Sequence, residues 1–588
     1  MFQSGINTVC NNKFIPVILL FLVLIVTCVS YWPGLHGPLL LDDIPNLFHI
    51  NRFGDGIIGW KSVYLLSPHG FDRPVSITSF IMNWLMTGNN VWALKFTNLV
   101  IHIFCGVLIY RLSWLLLSYD LIKDRIQARY TALWIAALWL LSPFLLSTVL
   151  YVIQRMAQLS AMFTLLGLLF YVTGRMNIEK KQTPGFSLII VSVVLFWPLA
   201  TLSKENGILL PLFILITEYF FFYKNTNRPE IKKLRMTIAA LVAIPALVVL
   251  GLIIFHPAWL LGGYAGRNFS LYERLITQPR ILLDYIGNLL LIPGVTPMGL
   301  FHDDYVKSTG LITPPLTLPG LIILPAIIIF SFMSIGKKTS VIFFGFLFYY
   351  AAHLVESSFI PLELYFEHRN YLPAFGIYFS VVSGIAVYLQ NAKFKYVAVI
   401  FLLIAPVTFS VLTYQRALVW QKKTSIYFLS EIQHPDSPRL NEGLGYIYLL
   451  NNDPEQALKH LDRVIAHEHK QLPPSFYFKY LLAYCYGHKK MSESEFKNRI
   501  KIKSLDNKLS TVIYFGKFID SVYKGRCNSL DLDKIADSFV IAVNNRDKRY
   551  DKADKSYVNE LLARLLSYLG RNEEAEKFRA GILTGINR

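Results

Sequence analysis

Two adjacent carboxylates, Asp42 and Asp43, follow closely on an apolar segment long enough to cross a lipid bilayer. Charge so near to hydrocarbon is costly, and ionisable residues kept there usually serve a function. An aspartate at that depth can take the proton of a hydroxyl group, and paired aspartates can also bind Mg²⁺ or Mn²⁺. We therefore predict this pair as catalytic, with metal binding left open. We slightly favour Asp43 as the base, since it lies one residue further from the apolar run and should be better solvated.

Several cations and acids in other loops could act together with this pair. The cations could neutralise a phosphate group, and the candidates for that role are Arg73, Arg155, Lys204 and Arg369. The further site candidates are Glu205, His302, Asp303, Asp304, Glu363, Glu367 and His368, and the same loops also contain His69, Asp72 and Glu356.

Each of these residues also has a structural interpretation. Asn98 and His102, at positions i and i+4 of one apolar segment, are more typical of hydrogen bonds between membrane helices than of catalysis. Lys204 with Glu205, and Glu367 with Arg369, could be simple ion pairs at helix ends. For Asp42 and Asp43 we favour function, because the position is costly and the surrounding segment has no basic residue.

The elements that must position these residues are membrane helices. The chain of 588 residues is 54% hydrophobic and only 16% charged, with a mean hydropathy of +0.43. Runs of roughly 20 apolar residues each suffice to cross a bilayer. We predict eleven spans, near 14–32, 96–117, 130–149, 157–174, 186–202, 206–223, 235–255, 316–334, 339–355, 371–389 and 396–414. The shorter run 281–292 is expected to be an interfacial or buried helix that does not cross.

Basic residues sort the loops between the two sides. Short basic turns alternate with the loops that contain the candidate residues, and the positive-inside rule places those turns and the N-terminus in the cytoplasm. The basic turns lie near 123–129, 175–181, 224–235, 337–338 and 393–395. Much of the net charge of +19 is therefore explained by topology, and nucleic-acid binding loses its main support. The candidate residues and the C-terminus would lie outside, in the periplasm if the protein is bacterial. The first external loop, 33–95, is predicted to form helices along the membrane surface.

The last part of the chain, 415–588, has a different composition and a helical pattern. Leu444, Gly445, Tyr448, Ala457 and Leu461 match the spacing of tetratricopeptide (TPR) repeats, in which two antiparallel helices interlock. Two weaker helix pairs follow, so we predict a small external α-helical solenoid, joined to a membrane domain of residues 1–414. This part also contains Cys485 and Cys527, which we expect to be two isolated thiols, although they could pair in an oxidising compartment.

The motifs together resemble a known family. The segments "LLLDD", "RPVSITSFIMNWLMTGNNVWALKFTNLVIHI", "SPFLLSTVLYVIQRMAQLSAMF", "LSKENGILLPL", "YIGNLLLIPGVTPMGLFHDDY" and "FEHRNYLPAFG" are similar to those of multi-spanning glycosyltransferases with C-terminal TPR repeats. These enzymes, which include O-mannosyltransferases and bacterial relatives, belong to the GT-C superfamily. The resemblance covers about residues 14–414 and the repeat tail, which is shorter here than in the animal members.

The resemblance implies an enzyme that transfers a sugar from a polyprenyl-phosphate carrier to an acceptor hydroxyl of a protein or glycan outside the cytoplasm. The family's acidic pair in the first loop corresponds to Asp42 and Asp43. Two alternatives stay open. One is an O-antigen ligase or oligosaccharyltransferase that moves a whole lipid-linked glycan, and the other is a membrane-anchored TPR scaffold without enzymatic activity. A transporter is disfavoured, since its polar residues should lie in the middle of the spans.

Overall fold

A computed structural model describes residues 14–120, 122–222, 228–292, 295–388, 395–467, 472–505, 509–545 and 552–586. The chain divides into two compact units, one of residues 1–300 and 305–426 and the other of residues 301–304 and 427–588. The described residues are α-helical and contain no β-strand. The division at 426 lies later than the predicted boundary at 414, because the last long apolar helix continues to Val419.

Unit 1 consists of helices that differ greatly in length. In chain order they are α1 (Ile15–Tyr31), α2 (Asp43–Gly54), α3 (Trp60–Leu66), α4 (Pro74–Thr87), α5 (Val91–Asp120), α6 (Arg125–Leu140), α7 (Leu146–Leu150), α8 (Arg155–Glu179), α9 (Gly185–Val191), α10 (Trp197–Ser203), α11 (Leu210–Phe221), α12 (Pro229–Phe255), α13 (Pro257–Gly262), α14 (Leu271–Leu289), α15 (Thr317–Ser334), α16 (Ser340–Ala352), α17 (Pro373–Tyr388) and α18 (Lys395–Val419). A π-helical stretch, Ser192–Phe196, joins α9 to α10.

Within the described residues, seven helical segments are long and apolar enough to cross a membrane. Their bounds are Ile15–His36, Val91–Tyr119, Val152–Glu179, Gly185–Ser203, Pro229–Phe255, Thr317–Ser334 and Leu402–Val419. An eighth would be α6 with Pro143–Leu150, which are bent by 48°. The bend follows Ser142, where the next residue, Pro143, disfavours helical backbone. These helices confirm an α-helical membrane protein at the level of length and composition.

Three further predicted spans are helical but short. The helices α11, α16 and α17 have 12, 13 and 16 residues. The helix α11 begins late because a 3₁₀ turn, Glu205–Leu209, precedes it, and α16 ends at Ala352, before the loop that contains Glu356. The total of eleven crossings therefore stays a prediction. The run 281–292 forms the end of the longer amphipathic helix α14, which is not among the helices apolar enough to cross.

Helix α8 connects two polar clusters at its opposite ends. Met156 near its start contacts Arg73, while Arg175 near its end binds Glu218 with Nε at 2.9 Å from Oε2. Arg235 binds the same carboxylate at 2.9 Å. At a rise of 1.5 Å per residue, the two ends are separated by about 30 Å, the thickness of a bilayer's hydrocarbon core. Loops that the sequence predicts on opposite sides of the membrane thus gather at opposite ends of α8, one group at each end.

Unit 2 is built from successive helices. They are α19 (Lys423–Gln433), in which the division between the units falls, α20 (Pro438–Leu450), α21 (Pro454–His467), α22 (Pro474–Tyr486), α23 (Glu493–Arg499), α24 (Leu509–Tyr523), α25 (Leu532–Asn544), α26 (Lys552–Tyr568) and α27 (Asn572–Ile586). The loop 33–95 of unit 1 likewise contains the helices α2, α3 and α4, as predicted, and their placement along a membrane surface stays a prediction.

The first helix pair of unit 2 interlocks through small residues. A Cβ atom on Gly445 would lie 2.8 Å from the Leu461 side chain, so glycine permits α20 and α21 to approach closely. Asp453 accepts a hydrogen bond from the Gln456 N–H at 3.0 Å and caps α21, while Asn452 has a φ of +56° in the turn. The predicted helical hairpin is confirmed, and its assignment to the TPR class stays a prediction.

A disulfide corrects one expectation. Cys485 and Cys527 are bonded to each other and buried in the core of unit 2. The expectation of two isolated thiols is therefore wrong, because the end of α22 and the turn after α24 come together in the fold, which their separation of 42 residues in the sequence does not reveal. Such bonds persist in oxidising compartments.

We predict that replacing both cysteines by alanine destabilises the protein by about 2–4 kcal/mol, because the bond restricts the unfolded chain. Thermal unfolding of the purified full chain, followed by circular dichroism, measures the effect. Cys28→Ala, which alters an unbonded cysteine, is the control. Alkylation with a maleimide of known mass should modify two further thiols only after reduction and unfolding, and equal modification without reductant would contradict the bond.

Candidate functional site

Asp43 is a buried structural group. It is 0% exposed, its Oδ2 accepts from the Leu40 N–H at 2.9 Å, and its Oδ1 accepts from the Ile153 N–H at 2.7 Å. Burial raises its pKa to about 7, despite these bonds and the charge of Lys95. The expectation that Asp43 is the better solvated aspartate is wrong, because the chain turns back at Leu40 and aims this side chain at the 152–154 turn.

Asp42, in contrast, is exposed. Its backbone N–H donates to the Tyr151 hydroxyl at 2.8 Å, which fixes the main chain, and the same hydroxyl is within hydrogen-bonding reach of the Asp42 carboxylate. Among the described residues, no group of three or more His, Cys, Asp or Glu side chains is placed to hold a metal ion, and Asp43 is fully buried with both oxygens accepting backbone N–H groups. Of the pair, Asp42 is the group that can reach an external hydroxyl.

Near Asp42 lies a group of charges from two different loops. Arg73, at the start of α4, binds Glu205 with Nε and Oε1 2.9 Å apart. His69 is close to both: burial lowers its pKa, and the charges of Arg73, Glu205, Asp72 and Asp42 all act on it. Burial raises the pKa of Glu205, but Arg73, a backbone hydrogen bond and Lys204 together outweigh burial, and the pKa is lowered. The loop 33–95 and the turn after α10 therefore meet beside Asp42.

A second pair of loops meets around Lys204. Its Nζ lies 2.5 Å from Glu356 Oε1, and both side chains are only 8% exposed. Burial raises the pKa of Glu356, but Lys204 and Arg369 outweigh burial and hold the pKa well below its ordinary value. Burial, followed by Lys204, keeps the pKa of His368 well below its usual range, so that imidazole is neutral at pH 7. Arg73 also acts on His368, which joins this group to the one beside Asp42.

A small cavity of about 20 Å³ opens between these loops. It is lined by Ala157, Ser160, Ala161, Lys204, Asn206, Leu209, Phe213, Ala352, His368, Arg369, Tyr371, Leu372 and Pro373. Among the described residues, Glu356 Oε2 and Asn206 Oδ1 are buried and lack a hydrogen-bond partner, so they can accept from a bound hydroxyl or water. Sequence reasoning missed Ser160, Asn206 and Tyr371 as lining residues, because it singled out only the charged and histidine side chains of the motifs that contain them.

The structure places the predicted phosphate ligand Arg155 away from the cavity. Its Nε donates to Asn98 Oδ1 at 2.7 Å, Nη2 to Asn83 Oδ1 at 2.8 Å and Nη1 to Ser79 O at 3.2 Å, and it is 0% exposed. All three nitrogens are occupied by protein oxygens, so we assign it a structural role. His102 likewise lies 3.0 Å from both the Tyr371 hydroxyl and Leu140 O, as expected for a bond between helices.

The two ion pairs that were the structural alternative for Lys204 with Glu205 and for Glu367 with Arg369 do not form. Lys204 pairs with Glu356 instead of Glu205. The backbone at Lys204 is extended, with a φ of −160°, so the consecutive side chains of Lys204 and Glu205 lie on different sides of the chain. Glu367 pairs with Arg416 at 3.2 Å instead of Arg369, which donates to the carbonyl oxygens of residues 363 and 364.

Four remaining candidates are engaged elsewhere. Glu363 binds Arg267 at 2.8 Å. His302, Asp303 and Asp304 belong to unit 2, where Asp304 lies 3.0 Å from His434 Nδ1 and Asp303 accepts from Ser437 Oγ at 2.6 Å. Their motif predicted a shared loop cluster, whereas the fold uses both aspartates to fix the start of α20.

An apolar groove of about 350 Å³ begins beside the charged groups. Helices α11, α14, α15 and α16 form its walls with Leu212, Leu215, Ile216, Tyr219, Phe220, Leu282, Leu324, Ile328, Phe332, Leu347, Tyr350 and Ala351, and His353, Leu354, Ser357 and Ser358 line it near Glu356. Residues 351–358 thus border the groove on one side and supply the partner of Lys204 on the other. The arrangement can receive a molecule with a long apolar chain and an anionic head.

Comparison of the chain with known protein families, with curated proteins and with solved structures finds no match. The function must therefore be inferred from the site.

We predict that Asp43→Asn destabilises the protein, with an effect that depends on pH. Asparagine offers one acceptor where two N–H groups need one each. Between the ordinary aspartate pKa of about 4 and the folded value of about 7, folded Asp43 retains a proton that the unfolded chain releases. Its contribution to stability is therefore largest at low pH and is lost as the pH rises through that window.

The melting temperature of the wild type minus that of Asp43→Asn should thus fall between about pH 5 and about pH 8. Asp55→Asn, an exposed aspartate of the same loop, is the control and should show no such trend. A difference that is zero or constant with pH would contradict the assignment.

Proposed function

We propose that the protein is a GT-C-type glycosyltransferase that moves a sugar from a polyprenyl-phosphate-linked donor to an acceptor hydroxyl. One set of contacts carries the proposal: Lys204 and His368 line one small cavity, Arg73 acts on His368 from a third loop, and residues 351–358 link the partner of Lys204 to an apolar groove. The exposed Asp42 and Arg73 both act on His69. A lipid-linked sugar phosphate requires this combination of apolar, cationic and basic groups at one depth.

The donor would bind in two parts. Its polyprenyl chain enters the groove between α11, α15 and α16, and its phosphate lies against Arg73 and Lys204. Arg73 is only 18% exposed and uses Nε for Glu205 and Nη1 for Met156 Sδ, so its Nη2 can still donate to a phosphate. In a partly desolvated site, such charge-assisted bonds are strong and favour the negative charge that develops on the leaving phosphate.

The chemical step is a single displacement. Asp42 takes the proton of the acceptor hydroxyl, and the hydroxyl oxygen bonds to the anomeric carbon while that carbon's bond to the phosphate oxygen breaks. The electron pair leaves with the polyprenyl phosphate, and the anomeric configuration is inverted. Neutral His69 and His368 lie close enough to hydrogen-bond to sugar or phosphate oxygens without adding charge.

The proposal includes a location. The basic turns would face the cytoplasm and the site the outside, in the periplasm of a bacterium, with unit 2 as an external TPR-like domain that docks a protein or glycan acceptor. The disulfide of unit 2 supports an oxidising compartment. The sorting of basic turns and candidate residues to opposite ends of α8 supports the same orientation.

The test is transfer by the purified protein in lipid nanodiscs, supplied with polyprenyl-phosphate sugars and a membrane extract as acceptor. Mass spectrometry of the products should detect the addition of single sugar residues. Transfer of a complete glycan block would favour a ligase, and an unchanged product spectrum with every donor would reject the proposal.

We predict that Asp42→Asn lowers the transfer rate by about 10²–10⁴-fold, because the acceptor hydroxyl loses its base. The melting temperature should not change, since the Asp42 side chain is exposed. Asp55→Asn is the matched control and should retain wild-type transfer. Full activity of Asp42→Asn would remove Asp42 from the mechanism.

We also predict that Leu324→Trp, which fills the groove, weakens the use of long-chain donors more than that of short-chain donors. The KM for a long polyprenyl donor should rise by about tenfold, because the bulky side chain would exclude one or two methylene groups of the donor from the groove. Ile322 lies on the same helix but is 60% exposed and outside the groove. The substitution Ile322→Trp is therefore the control. An equal effect of both substitutions on all chain lengths would refute the groove as the chain's site.

A further inference from the structure

The loop 353–366 is held by hydrogen bonds from one buried arginine, Arg274. This loop joins α16 to the 3₁₀ turn Glu367–Asn370, and it contains Glu356, the partner of Lys204. Arg274 on α14 donates to three of its carbonyl oxygens: Nη2 to Glu356 O at 2.7 Å, Nε to Ser358 O at 2.6 Å and Nη1 to Leu362 O at 2.5 Å. The guanidinium therefore spans seven residues of the loop, 356–362, from one point.

Residues near Arg274 in the chain also donate hydrogen bonds to the same loop. Between residues 264 and 278, further donors reach successive carbonyl oxygens: the Tyr264 hydroxyl to Phe359 O, Arg267 Nε to Pro361 O at 2.7 Å and Gln278 Nε2 to Leu364 O at 3.1 Å. The loop thus takes its shape from one face of the preceding segment, with Arg274 at the centre.

The burial of Arg274 is costly and specific. It is 0% exposed and forms no ion pair among the described residues, and the charges of Arg267 and Arg369 disfavour another cation nearby. Burying an unpaired cation is expensive unless strong hydrogen bonds compensate. A loop that only had to be covered would need no guanidinium. The planar fork, however, fixes three carbonyl oxygens at once, which the single ammonium of lysine cannot reproduce.

We propose that Arg274 is a positioning residue for the transfer reaction: it sets the loop 353–366 so that Glu356 holds Lys204 against the cavity. This inference rests on the proposed function for its kinetic part, while the shape of the loop can be measured without any activity. Arg274 itself touches none of the groups that would react.

The first measurement is hydrogen exchange of the full chain in nanodiscs. Arg274→Lys should increase the exchange rate of peptides covering 354–366 by about tenfold or more, because local opening becomes easier. Arg280→Lys is the matched control. Arg280 lies on the same helix and donates to Val306 O, outside the loop, so its replacement should leave exchange of 354–366 unchanged. Unchanged exchange in Arg274→Lys would overturn the inference.

The second measurement separates positioning from general stability. If Arg274 acts through Glu356, Arg274→Lys and Glu356→Gln should each lower kcat/KM by about 10–100-fold, and the double variant should lose little more than either one. A merely structural role would give multiplicative losses that follow the melting temperature. Multiplicative losses at equal melting temperatures would likewise overturn the positioning role.

Two outcomes distinguish this inference from the proposed function. If the wild type transfers no sugar, the proposed function fails, and hydrogen exchange alone decides whether Arg274 shapes the loop. If Arg274→Lys does not accumulate as folded protein, Arg267→Gln replaces it in the experiment. Arg267 is less buried than Arg274 and also donates a hydrogen bond to the loop 353–366. That variant should show a smaller increase in exchange of 354–366, and no increase would overturn the inference.

Discussion

The buried ion pair between Lys204 and Glu356 is the interaction on which the site depends. It joins the residue after the helical segment 185–203 to the loop after α16, and the cavity is lined by Lys204 and by Ala352, the last residue of α16. Desolvating two charges is costly, and the attraction offsets that cost only when the geometry is fixed. The fold fixes it through Arg274 on the loop and through the Ser76 hydroxyl, which donates to Ser203 O at 2.8 Å. A cation held in this way can receive an anionic head group without further rearrangement.

In the rest of unit 1, charged side chains cluster at two levels, and apolar helices lie between these levels. At one end of α8 lie Arg73, Lys204 and Glu356, and at the other Arg175, Arg235 and Glu218 form a second buried cluster. The ion pairs of each cluster form within the protein, so the apolar helices can span the distance between them with their backbone bonds intact. The groove beside α11 and α15 follows from the same arrangement, because helices that meet at the charged end leave apolar space between them further along.

The amino-acid pattern predicted the long apolar helices, the helical hairpin at 438–467 and the meeting of loops around 42, 73, 204 and 368, since hydropathy and the placement of basic turns decide these directly. It did not predict which partners pair. Lys204 and Glu205 are adjacent in the chain, and only the extended backbone at Lys204 separates their side chains. The roles of Asp42 and Asp43 were reversed for a similar reason, because a local turn decides which aspartate is buried. Likewise, the disulfide and the position of residues 301–304 in unit 2 depend on contacts between distant segments that no local pattern encodes.

Recognition of a phosphate by Lys204 and Arg73, with its lipid chain in the adjoining groove, is the central claim. Native mass spectrometry of the detergent-solubilised protein with polyprenyl phosphate and with the uncharged polyprenol tests it most directly. We expect the phosphate to bind at least about tenfold more tightly than the alcohol, a charge-assisted contribution that Lys204→Met should abolish. Equal binding of the phosphate and the alcohol, or phosphate binding that Lys204→Met leaves unchanged, would contradict the account.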